Sequence, residues 1–164
     1  MKLFFIVFGL LSASASWAAN FKCESAWQLI GQKKEVQKFQ IASVSGTKEI
    51  KLNATTIVQL KTNKGQVQFS LKESGTGREE VYSKYDIVCD SSLSCNGSRE
   101  MFFQKSVNKD PIRFTPSGST TSGLIGKREV ASFANAPKNG FKLNYIPYEN
   151  SKGIAMGLKL DCHE

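Results

Sequence analysis

Apolar residues recur at every second position through much of this chain, and a period of two is the signature of a half-buried β-strand. The run Ile154, Met156, Leu158, Leu160 and Cys162 shows it best. Phe21, Cys23, Ser25, Trp27 and Leu29 share one parity, while Lys22, Glu24 and Gln28 occupy the other. Val36 to Val44, Glu49 to Thr62, Gln66 to Lys72, Val81 to Cys89, Arg99 to Val107, Ile112 to Thr115, Glu129 to Phe133 and Phe141 to Tyr145 follow with similar patterning. No stretch of twelve residues keeps a 3.6-residue period. Asn63-Lys64-Gly65, Asn96-Gly97, Asn108 to Pro111 and Asn139-Gly140 punctuate the runs as turns, and Pro147 ends or edges its strand. About eight short strands without crossover helices predict an all-β antiparallel meander, closed as a barrel in preference to a sandwich.

The first residues read as an address. Met1 and Lys2 supply a positive start, Leu3 to Leu11 is almost unbroken apolar, and a run of small residues ends at Ser16 and Ala18. That is the pattern of a secretory signal peptide over residues 1–18, leaving one domain over residues 19–164. The apolar run is about half the ~20 residues a spanning helix needs, and no later stretch is longer, so no transmembrane segment is expected. The expected location is periplasmic or secreted. With 40% apolar and 22% charged residues, the chain can bury enough surface to offset the entropy of ordering, which excludes a disordered protein.

Export places the four cysteines where disulfides persist, and an even number fits two bridges. Three pairings are open. The preferred set joins Cys89 to Cys95 across a short loop and Cys23 to Cys162 near the two mature ends. Chain entropy assigns the short loop about 2.4 kcal/mol and the long one about 5 kcal/mol. Redox activity would favour Cys-x-x-Cys, and a closed zinc site would want paired Cys-x₂₋₄-Cys spacing; neither is present. Because Cys23 and Cys162 sit on the apolar parity of the first and last strands, their bridge would bring those strands together and remove two open edges.

Charge is unevenly spread over the chain's net +8. Residues 19–72 carry nine Lys against three Glu, and residues 101–164 carry nine basic against five acidic. The stretch between, residues 73–100, has three basic and six acidic side chains. One positive surface follows, suited to an anionic polymer, a lipid surface or an acidic protein outside the cytoplasm. Lys33 and Lys34 are its densest point. Tyr82 and Phe102 fall on the parity opposite Val81, Tyr85, Ile87, Met101 and Phe103 and are candidates for an exposed aromatic patch. Export argues against nucleic acid as a partner. A second site is a small apolar pocket between Trp27 and Phe69, Phe141, Tyr145 and Met156, since a barrel of about eight strands is just wide enough for side chains or one ligand.

Catalytic groups are sparse. His is the commonest general acid or base near neutral pH, and the single His163 lies next to the chain end. Glu79, Glu80, Asp86, Asp90 and Asp110 show no spacing that singles out an acid and a base. Gly118 to Lys127 departs from a phosphate-binding loop, with Thr121 where a Gly is needed and Arg128 in the Ser/Thr place. Thr115 to Gly126 reads as a mobile loop. No enzyme, metal or cofactor is expected, and a hydrolase would need a carboxylate site the spacing does not locate.

Two resemblances are carried by scattered residues. An exported barrel of this size with its sole mature Trp, Trp27, on the first strand resembles a lipocalin, although Ser25 stands where that family has Gly. The resemblance implies a carrier of a small apolar ligand. Phe21-Lys22-Cys23, Cys162 and Ser74-Gly-Thr-Gly-Arg78 before Tyr82 resemble bacterial inhibitors of c-type lysozyme, which implies a periplasmic inhibitor of a lytic enzyme bridged end to end. A mature charge of +7 would repel a cationic lysozyme. The chain is assigned to neither family.

Overall fold

In a computed structural model the described residues are 20–28, 33–52, 55–74, 82–103, 106–136, 140–149 and 155–164. They form thirteen strands and no helix: β1 (Asn20–Gln28), β2 (Glu35–Ala42), β3 (Ser45–Lys51), β4 (Thr56–Asn63), β5 (Gln66–Ser74), β6 (Tyr82–Asp90), β7 (Cys95–Phe103), β8 (Ser106–Pro111), β9 (Arg113–Ser117), β10 (Thr120–Ile125), β11 (Arg128–Ala136), β12 (Gly140–Glu149) and β13 (Ala155–His163). All pairing is antiparallel, in two sheets. The first runs β2-β1-β13-β12-β11-β10-β9 and holds the first and last strands; the second runs β3-β4-β5-β6-β7-β8.

The all-β meander expected from alternation is present, but the closed barrel is not. No ladder joins β2 to β3 or β8 to β9. These are the two halves of bent runs that carry the chain from one sheet to the other, with Ser43 and Val44 at one corner and Ile112 at the other. Pairing changes partner at each bend, from β1 to β4 and from β7 to β10, as in sheets that meet at corners. Gly46 makes the first bend possible. A Cβ there would lie 2.5 Å from Ile41 Cγ1 and 2.7 Å from the Ala42 carbonyl oxygen, inside van der Waals contact.

Three segments expected as turns or loops are strands. Thr115 to Gly126 contributes most of the β9–β10 hairpin, with Thr121 1% exposed on the inner face. Asn96-Gly97 lies within β7 and Asn108 to Pro111 within β8. The β6–β7 turn falls earlier, in the loop closed by Cys89 and Cys95. The Asn63 to Gln66 hairpin turn is where expected, with Lys64 at φ 43° and Gly65 at φ 85°, both positive as a two-residue primed turn requires.

The core lies between the sheets. Val58, Leu60, Phe69, Leu71, Tyr85 and Ile87 come from the second sheet and Phe133, Leu143, Tyr145, Leu158 and Leu160 from the first. Each such side chain is worth about 1.5–3 kcal/mol relative to exposure. At the centre Tyr145 packs against Phe69 at 5.5 Å and edge-on against Tyr85 at 5.0 Å between ring centroids. Of the side chains expected around an apolar pocket, Trp27, Phe69 and Tyr145 fill the interior, each at most 4% exposed, while Phe141 is 7% exposed and lines a cleft at one end of the sheets. Met156 has a side chain outside the described set.

Cys23 stands opposite Cys162 in the β1–β13 register, and the two are bridged; Cys89 is bridged to Cys95 across β6 and β7. These are the pairings preferred from the spacing. β1 and β13 are thereby fastened in the interior of the first sheet, and its edges are the two bent strands. Each corner also turns charge inward. Lys48 shares the face of buried Leu60 and places its Nζ 5.6 Å from the Phe39 ring centroid. Arg99 stands between Tyr85 and Asp110 in register and donates to Asp110 Oδ2 from both Nε, at 3.2 Å, and a terminal nitrogen. Burial opposes the Arg99 charge, but the bonds to Asp110 and Tyr85 outweigh it and hold the guanidinium above its ordinary range. Inward-pointing charge at a sheet margin discourages pairing with another chain.

Candidate functional site

The outer face of the second sheet carries one transverse row in strict register: Lys51, Ile57, Lys72, Lys84, Glu100 and Lys109, one residue from each of β3 to β8. All four lysines are exposed. Lys72 and Lys84 are directly opposite on neighbouring strands, an arrangement that costs stability because like charges repel across ~5 Å. Adjacent strands are ~4.8 Å apart, so the row from Lys51 to Lys109 spans about 24 Å.

One outward position further along lies a second row, Ser74, Tyr82, Phe102 and Val107. Tyr82 and Phe102, expected as a patch, are thus cross-strand partners. Phe102 is half-buried, and Val107 beside it is 55% exposed, the most exposed large apolar side chain described. The Tyr82 side chain lies outside the described set. On the other flank Asp86 is occupied by its neighbours, accepting from Gln68 Nε2 at 2.9 Å and Ser70 Oγ at 3.0 Å. The exposed lysines Lys51, Lys72, Lys84 and Lys109 line up along one row of this face.

The other expected binding residues lie apart from it. Lys33 and Lys34 are exposed immediately before β2, at the margin of the first sheet. Trp27 is 4% exposed in the core, and its indole N–H has no acceptor among the described residues. The gap beside it, about 10 Å³, has room for one water at most.

On the outer face of the first sheet two cations are paired. Lys38 reaches Glu24 at 3.8 Å and Lys142 reaches Asp161 at 3.1 Å. His163 is exposed opposite Lys22. Among the described residues no three His, Cys, Asp or Glu side chains are grouped to hold a metal ion. Asp86, Asp90 and Asp110 are each engaged by different neighbours, and Glu79 and Glu80 lie outside the described residues.

At the end of the sandwich opposite the aromatic row, the Cys89–Cys95 loop leans across to the first sheet. Thr121 Oγ1 donates to the Leu93 carbonyl at 3.0 Å and Asn135 Nδ2 to the Ser91 carbonyl at 3.2 Å. Within the loop Asp90 Oδ1 accepts from the Ser92 hydroxyl, the Ser94 amide at 3.1 Å and the Ser92 amide at 2.9 Å. Those bonds, the Ser92 hydroxyl foremost, hold the carboxyl below its usual range. Under the loop lies a half-open cleft of about 430 Å³.

The fold defines a two-sheet antiparallel β-protein with two disulfides. No family model matches the chain, nor does any curated protein or solved structure compared with it. The lysine row escapes sequence inspection because its members are far apart in the chain. The two bridges are the one sequence feature that could have found part of it: a Cys89–Cys95 pair fixes the β6–β7 register and sets Tyr82 against Phe102 and Lys84 against Glu100.

Proposed function

We propose that this is an exported, non-catalytic binding domain that holds an anionic envelope component, a linear polyanion, across the outer face of its second sheet. The observation that carries the reading is the in-register row of Lys51, Lys72, Lys84 and Lys109, interrupted by a single carboxylate, Glu100. Four ammonium groups at intervals of one or two strands form a ladder for charges repeating every ~5–10 Å. The neighbouring Phe102 and Val107 offer apolar surface to the polymer's uncharged parts. Two disulfides support an oxidising compartment, and no helix among the described residues is long and apolar enough to cross a membrane. The signal-peptide pattern of residues 1–18 supports export.

Binding of the purified domain to polyphosphate and to anionic vesicles, at 20 mM and 300 mM salt, tests the reading. Each lysine near an anionic surface contributes about 1 kcal/mol at low ionic strength, so Lys72→Ala/Lys84→Ala should weaken binding about 30-fold there. The difference should shrink at high salt as the Debye length falls. Equal affinity of that variant and the parent at low salt would sink the proposal.

A further inference from the structure

The cleft under the Cys89–Cys95 loop has no part in the lysine row, from which it lies about 20 Å away along β5, measured from Gln66 to Lys72 at ~3.4 Å per residue. It exists because the two sheets are unequally filled at this end. The first sheet presents three phenyl rings, Phe21, Phe133 and Phe141, of which Phe21 and Phe141 meet edge-on at 5.6 Å. The second presents only Val67, Cys89 and, from the loop, Leu93. In the middle of the sandwich Phe69 and Tyr85 fill the corresponding space.

The cleft has a fixed wall. The loop is closed covalently, pinned to the first sheet by Thr121 and Asn135, and Leu93 is held at φ 63°. A left-handed conformation in a leucine costs about 1–2 kcal/mol and persists only where its surroundings over-determine it. Here it sets the Leu93 side chain on the cleft. Preorganised apolar walls of this size, with a few polar groups at the rim, are the usual form of a small-molecule site. Gln66, Ser91 and Asn135 supply hydrogen-bonding groups at the rim.

Charge selects the ligand class. Among the described residues no Lys or Arg lines the cleft, and Asp90 is the one charged residue that does. Its Oδ1 is consumed by the loop, while Oδ2 makes no hydrogen bond among the described residues. We infer that the cleft binds a small amphiphile, its alkyl or aromatic body between the phenyl rings and Leu93 and its neutral or cationic head beside Asp90. A carboxylate or phosphate head would face a fixed negative charge.

The test uses the full mature chain with both bridges intact. The neutral dye N-phenyl-1-naphthylamine is titrated and then displaced with dodecyltrimethylammonium, dodecanol and dodecanoate below their micellar concentrations. Saturable one-to-one dye binding is expected, with the ammonium compound displacing about tenfold better than the carboxylate. Asp90→Asn should abolish that discrimination, and Val67→Trp should remove dye binding by filling the cleft. Should Val67→Trp fail to fold, amide shift mapping on the unmutated chain decides, with changes expected at Val67, Leu93 and Phe141. No saturable binding, equal displacement by both charged amphiphiles, or shifts centred elsewhere would overturn the inference. Lys72→Ala/Lys84→Ala should leave dye binding unchanged, so failure here and failure of the polyanion reading are told apart.

Discussion

Replacing Cys23 and Cys162 together by Ala tests how far the two sheets depend on the fastening of their ends. The bridge closes a loop with a sequence separation of 139, against 6 for Cys89–Cys95. The chain-entropy relation converts these to about 5 and about 2.4 kcal/mol at 25 °C, and residual structure in the unfolded chain lowers both, giving an expected loss of about 3–5 kcal/mol for the long loop. Ala rather than Ser is the right replacement, because both sulfurs are buried and a hydroxyl there would add its own desolvation cost. β1 and β13 keep their register pairs from Lys22 with His163 to Gln28 with Gly157, so the variant should fold with the same far-UV spectrum. Urea unfolding followed by Trp27 fluorescence, in a chain of residues 19–164 where Trp27 is the sole tryptophan, reads the loss directly, and the m-value should rise as the unfolded chain expands. A loss no larger than that of Cys89→Ala/Cys95→Ala would refute the loop-length reasoning.

Gly46→Ala should cost about 1–3 kcal/mol by urea unfolding, because the corner must open to admit a methyl against Ile41 and the Ala42 carbonyl. Arg99→Met should cost about 1–2 kcal/mol by leaving the half-buried Asp110 carboxylate unpaired, and Arg99→Met/Asp110→Asn should recover part of it in a double-mutant cycle. The Asp90 carboxyl is depressed in the folded state, so what it contributes to the loop is complete above the ordinary value of 3.8 and lost as pH falls through the lower folded value. The Ser92 and Ser94 amide resonances should therefore titrate with a midpoint below 3.8; a midpoint at or above it would contradict the bonding described.

Alternation made β1, β5, β6 and β13 legible because in each an apolar side chain occupies nearly every inward position. It failed where the inward positions are polar or small. β10 was hidden because Thr121 and Gly123 face the core in a segment rich in turn-forming residues, and β8 because its inner face is Ser106, Asn108 and Asp110. The corners were invisible because alternation tells which face a side chain takes and not which strand it pairs with, and only the exchange of partners at Ser43 and Ile112 reveals two sheets. The excess of positive charge was legible in the composition. Its location was not, since a one-residue slip in register would send every lysine of the row to the other face. Lys33 and Lys34 stood out because they adjoin in sequence, yet adjacency in a chain is weaker evidence of a surface than adjacency across strands.

The end-to-end bridge also sets an order of events for a chain that emerges N-terminus first. Cys23 is the first thiol to appear and Cys162 the last, with Cys89 and Cys95 between them. An oxidant joining thiols as they arrive would couple Cys23 to Cys89, which in the finished protein lie in different sheets. Correct maturation therefore requires either that Cys23 wait for the whole chain or that a wrong bond be exchanged. Because Cys89 and Cys95 are only six residues apart and aligned by their hairpin, their rapid closure removes both competing thiols and leaves Cys23 a single partner. Closing the small loop first would thus leave the large one only its native pairing.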